Sequence, residues 1–84
     1  MASKTVKVGS KVGLHARPAA LVAEAAGEYD DDIILSLNGE EVDADSAMMI
    51  MTLGASYGDE VTVTSDNEEA VEKLAGMIEA DLDA

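Results

Sequence analysis

The sequence predicts an α+β fold: a two-layer open-faced sandwich, with a four-stranded antiparallel sheet covered on one face by three helices. Three observations carry this prediction. Short runs in which apolar and polar residues alternate mark strands that bury one face only. The dipeptide Asn38-Gly39 between two such runs signals a tight hairpin, which joins antiparallel neighbours. The helical stretches between the strands carry a single apolar stripe each, which suits helices that all lie on the same side. The 84 residues read as one domain, 1–84, near the lower size limit for a self-supporting core.

Taken in order, the elements read strand, helix, strand, strand, helix, strand, helix. Residues 4–8 alternate, with Val6 and Val8 against Thr5 and Lys7. Gly9 and Gly13 bracket a loop that runs into His15. Pro18 suits the first turn of a helix, where its missing N–H costs nothing. Residues 19–26 are alanine-rich and strongly helical by propensity, and Gly27 is placed to end the helix. Residues 32–37 form a second strand with Ile33, Leu35 and Leu37 on one face, and the hairpin leads to a short third strand through Val42. Ser46 is an N-cap before a helix over 47–53, which Gly54 stops. Val61 and Val63 alternate with Thr62 and Thr64 in a fourth strand. Ser65 with Glu68 three residues on matches a capping box. The last helix then places Val71, Leu74, Ala75, Ile78 and Leu82 at helical spacing, with Glu69 and Lys73 as a supportive pair four apart.

Composition excludes several classes. There is no cysteine, so disulfides, thiol catalysis and thiolate metal sites are out, and one histidine cannot build a His-rich metal site. No cofactor is called for. No Walker-type loop is present, and so small a chain leaves little room for a deep substrate pocket. Five basic against 18 acidic residues give 5 − 18 = −13, a charge that repels nucleic acid and anionic membranes. The N-terminal residues hold no apolar run long enough for a signal peptide or a membrane span, so a cytoplasmic location is expected, with no direct membrane insertion. The acids are spread over every element. That pattern suits a protein adapted to a salt-rich cytoplasm, where screening shortens to a few ångströms. An ordinary acidic protein is the alternative. The basic residues cluster instead: Lys4, Lys7, Lys11 and Arg17 fall early, and only Lys73 lies elsewhere.

The chemistry concentrates in Gly13-Leu14-His15-Ala16-Arg17-Pro18. A strand ends, a glycine-flanked loop follows, and a histidine stands at the mouth of a helix. The first N–H groups of a helix lack internal partners and the macrodipole is positive there, which makes an anion site. Arg17 adds a planar fork matched to phosphate oxygens. Phosphate on His15 could thus be held by the N–H groups near Ala16 and Arg17 and by the Arg17 guanidinium. Histidine titrates near ~6.5 when unperturbed, so a neutral ring nitrogen is available as nucleophile at neutral pH. Imidazole is also a good leaving group from phosphorus, so a phosphohistidine can pass its group on. Spacing alone leaves a plain surface or capping role for His15 open.

Gly-Leu-His-Ala-Arg-Pro resembles the active-site signature of HPr, the histidine-containing phosphocarrier of the phosphoenolpyruvate-dependent sugar phosphotransferase system. The strand–helix order fits the HPr fold over essentially the whole chain. Asn38-Gly39 falls at the family's hairpin, and residues 45–54 resemble its second signature, around a regulatory serine. The salt-adapted composition suggests a haloarchaeal-like member. The resemblance implies that His15 accepts a phosphoryl group on Nδ1 from enzyme I and passes it to the IIA domain of a sugar permease, fructose being one candidate sugar. Arg17 would hold the phosphoryl oxygens, and the protein would act as a carrier rather than an enzyme. It also implies a monomer.

Ser46 corresponds to a serine that a dedicated HPr kinase phosphorylates in some members. Here Asp43 and Asp45 would oppose the added charge, and the N-cap role alone is favoured. In the family the short second helix and the first helix present an apolar docking patch beside the histidine. Helical spacing turns Ile50 and Leu53 inward and leaves Ala47, Met48 and Met51 for that patch, with Leu14 and Ala20 as extensions. This chain departs from the lysines common around the family's docking face, carrying Glu24, Gly27, Asp45 and Met49 in that region. Partners altered to match, or mainly apolar contacts, are expected. Two rivals remain: a regulatory HPr-like protein acting by partner binding, since paralogues of that type can lack the histidine, and a small acidic interaction module with an incidental histidine.

Overall fold

The computed structural model describes residues 1–80. It contains β1 (Ala2–Lys7), α1 (Ala16–Ala26), β2 (Ile33–Leu37), β3 (Glu40–Asp43), α2 (Ala47–Thr52), β4 (Glu60–Ser65) and α3 (Glu68–Glu79). The four strands form one sheet in the order β1-β4-β2-β3, and every neighbouring pair is antiparallel. Val6, Ile33, Leu35, Leu37, Val42, Val61 and Val63 are buried on one face. On the opposite face Ser3, Thr5, Lys7, Glu41 and Asp43 meet solvent. Alternation with period two separates the faces in this way. The predicted open-faced α+β sandwich is the observed fold.

Helix stripes close the core. In α1, Pro18, Ala19, Val22, Ala25 and Ala26 are buried, and in α3 the buried residues are Ala70, Val71, Leu74, Ala75 and Ile78. Small alanines let the helices lie close to the sheet and to each other, which compensates for the lack of large aromatics. Asn38 and Gly39 take φ of 52° and 87°, the paired positive values of a two-residue hairpin whose turn twists with its strands.

Two local expectations are corrected. Ser65 does not open a capping box. It closes β4, opposite Ala2 and Ile33, and the cap moves to Asn67, whose side chain accepts from the Ala70 N–H at 3.1 Å. Ser65 Oγ supports this turn by accepting from the Asn67 N–H at 3.1 Å. Lys73 pairs not with Glu69 but with Glu28, at 3.6 Å, bridging α3 to the segment after α1. As expected, Gly27 ends α1 as its C-cap, with φ of −66°. Helix α1 begins at Ala16, which places Pro18 in its first turn as expected. Leu82 lies outside the described residues.

The loop after β1 is fastened to the far end of α3. The Gly9 N–H donates to the Ile78 carbonyl at 2.9 Å. A Cβ on Gly9 would collide with the Glu79 carbonyl oxygen. Gly9→Ala should therefore destabilise the protein by about 1–3 kcal/mol, read as a lower urea midpoint. An unchanged midpoint would show that the end of α3 yields freely.

Candidate functional site

Position 15 is fixed by a short chain of backbone constraints. The Gly13 N–H donates to the Ser10 carbonyl at 2.9 Å and closes a turn with Lys11 and Val12 at its centre. The Leu14 N–H then donates to the Ala55 carbonyl at 3.0 Å. Gly13 has φ of +76°, and a Cβ there would stand 2.5 Å from the Ala55 oxygen, so only glycine suits both the angle and the approach. With Leu14 buried at 4% exposure, the chain turns and His15 emerges on the surface as the N-cap of α1.

His15 is extended, with φ of −80° and ψ of −169°, and its side chain makes no capping hydrogen bond. Its carbonyl accepts from the Ala19 N–H at 2.8 Å, which starts the helix. Ala16 and Arg17 occupy the first two helical positions, whose N–H groups lack intrahelical acceptors, and Pro18 has no N–H to offer. Two amides and the positive helix end are thus presented beside the imidazole. There is no acidic residue in this first turn to compete for them. Arg17 is exposed and has no carboxylate partner among the described residues. An anion attached to a ring nitrogen of His15 would meet donors rather than carboxylates.

Two shallow depressions flank the imidazole. One is lined by Val12, His15, Ala16, Arg17 and Pro18. The other, about 200 Å³, is lined by Val12, Leu14, His15, Met51, Gly54, Ala55 and Ser56. The second joins His15 to α2. Helix α2 buries Ile50 fully and leaves Met48, Met49 and Met51 exposed at 73%, 44% and 40%. Ala47 is half-buried and packs against the core, and Ala20 is exposed on α1. Leu14 must be removed from the exposed patch. Its burial anchors the loop, because the backbone hydrogen bond to Ala55 turns the side chain inward.

The Ser46 side chain caps α2, accepting from the Met49 N–H at 3.3 Å. Its hydroxyl oxygen already serves a structural role. Sequence reasoning missed Val12, which shares both depressions with His15. Val12 carried a readable signal as a β-branched residue beside Gly13 where turn chemistry favours polar or flexible residues.

Comparison with known proteins agrees with this geometry. Residues 2–80 match the family PTS-HPr, described as the PTS HPr component phosphorylation site. The chain is 40% identical over 85 residues to the HPr-like protein Crh of Bacillus subtilis, covering 98% of this chain and all of that protein. Among solved structures, phosphocarrier protein HPr from Bacillus anthracis superposes with a TM-score of 0.87 at 40% identity, covering 92% of this chain and 95% of the other. HPr-C-His from Thermoanaerobacter tengcongensis gives 0.91 at 36% identity, covering 100% and 98%. The chain belongs to the HPr family of phosphocarrier proteins.

Proposed function

We propose that this protein is the phosphoryl shuttle of a phosphotransferase relay, taking the group from phospho-enzyme I on His15 and delivering it to the IIA domain of a sugar permease. The observation that supports this most is the uncapped His15 side chain beside the N–H groups of Ala16 and Arg17, with an Arg17 guanidinium that pairs with no carboxylate among the described residues. The lone pair of a neutral ring nitrogen attacks phosphorus, and the bond to the donor breaks with its electron pair staying on the donor. The Ala16 and Arg17 amides and the guanidinium donate to the phosphoryl oxygens. Delivery is the reverse step towards an acceptor nucleophile. The protein positions the group and moderates its charge, and needs no turnover chemistry of its own.

The exposed methionines beside His15 are the docking surface in this reading. Met can repack against more than one partner. With Glu24 and Asp45 exposed in that region of the sequence, we propose partners whose facing surface is apolar or basic rather than acidic. The site is proposed to act in the cytoplasm, as a monomer, although dimers occur among the solved relatives. No helix among the described residues is long and apolar enough to cross a membrane. A regulatory role through partner binding is the second reading, favoured by the likeness to Crh. Kinase action on Ser46 belongs to that reading, and the capping bond to Met49 together with Asp43 and Asp45 weighs against it.

Incubation with phosphoenolpyruvate and enzyme I from a salt-adapted source should add one acid-labile phosphate, read by intact mass. His15→Ala should take none. Arg17→Gln should load at a rate lower by roughly tenfold or more, the loss of a charge-assisted contact. No phosphate on the wild type, while an HPr from the same source is labelled, would favour the regulatory reading.

The charge of −13 also supports salt adaptation. Repulsion among the acids falls as the Debye length shortens to ~3 Å at 1 M salt. Stability in urea should therefore rise steadily with KCl up to molar concentration. A flat series would identify an ordinary acidic protein.

A further inference from the structure

The turn before His15 carries a residue that the fold does not explain. The Gly13-to-Ser10 hydrogen bond places Lys11 and Val12 at the two central turn positions, and neither takes positive φ. Such positions favour Asn, Asp, Ser or Gly, each for a backbone reason. Valine has no comparable turn role, and at 48% exposure it contributes little to the core. It is instead the one residue that, with His15, lines both depressions flanking the imidazole. The turn itself is held by the Leu14 bond to Ala55 and by Gly13. Val12 is therefore presented to the site from a fastened loop.

The donors for a phosphoryl group, the Ala16 and Arg17 amides and the guanidinium, all belong to the start of α1. Val12 comes from the turn before it and offers neither donor nor acceptor. We propose that Val12 is a water-excluding wall beside the phosphorylated His15, which slows loss of the group to solvent between loading and delivery. This rests on the phosphohistidine reading and deepens it. In the side reaction, water oxygen forms a bond to phosphorus while the phosphorus–nitrogen bond breaks. The electron pair returns to the ring nitrogen, a proton from the water is taken up by the ring or by solvent, and inorganic phosphate leaves. An apolar branched side chain lining both depressions beside the imidazole removes approaches for that water and offers it no hydrogen bond. Val12 acts by position and takes no part in bond making.

The test compares wild type with Val12→Ala, Val12→Ser and Val12→Ile. Each is loaded chemically with phosphoramidate, and decay of the phosphohistidine signal is followed by phosphorus NMR. Alanine and serine should hasten decay by about threefold or more, with isoleucine as stable as wild type or more so. The rescue by isoleucine separates shielding from a structural role, and equal melting temperatures show that the fold is kept. Equal decay in all four proteins, or slower decay with serine, would overturn the proposal. So would failure of the wild type to load on His15. Loading in this way needs no enzyme I. Failure of the relay would leave a Val12 effect standing, and equal decay would leave the relay intact.

Discussion

The contact on which the site depends is the backbone pairing of Leu14 with Ala55. This 3.0 Å hydrogen bond is made where Gly13 brings the chain too close to Ala55 for any side chain. It buries Leu14, which sends His15 outward, and it lies one residue before the N-cap of α1. The helix direction, the aim of its free N–H groups and the distance to α2 all follow from where this loop is pinned. The neighbouring bonds extend the same clamp: the Val8 N–H donates to the Asp59 carbonyl and the Gly58 N–H to the Val8 carbonyl, both at 2.9 Å. His15 is thereby placed on a fastened loop without being buried. It stays exposed, while the Ala16 and Arg17 amides beside it are fixed by the start of α1.

The sheet was legible because its signals are local. Period-two alternation located the strands, and Asn38-Gly39 dictated the hairpin before any long-range contact needed consideration. The placement of His15 at the mouth of α1 was legible from the glycines before it and Pro18 after it, whereas its proposed chemistry came from the resemblance of Gly13-Leu14-His15-Ala16-Arg17-Pro18 to a family signature. What escaped was set by tertiary register. Ser65 and Glu68 had the spacing of a cap, but pairing opposite Ala2 and Ile33 drew Ser65 into the sheet and left Asn67 to cap the helix. Lys73 had a helical neighbour of opposite sign at Glu69, yet a carboxylate on another segment, Glu28, lay within reach. Leu14 and Val12 are adjacent to the same glycine, and no pattern in the chain says that one turns inward and the other outward.

Charge plays a smaller part in stability than its abundance suggests. The ion pairs between side chains, Lys4 with Glu72 and Lys73 with Glu28, are exposed and contribute at most about 1 kcal/mol each. The fold rests on its aliphatic core. Arg17, which lines a depression with His15, is left outside such pairs among the described residues.

The central claim is that a phosphoryl group on His15 is held by the first amides of α1. Amide proton shifts of the free and phosphorylated protein, recorded by two-dimensional NMR, test it most directly. The account predicts that the Ala16 and Arg17 amide protons move downfield, as amides do when they donate to a charged oxygen, while those of α3 stay in place. If these two signals move no more than those of α3, the phosphoryl group is not held at the helix end and the proposed chemistry of the site is wrong.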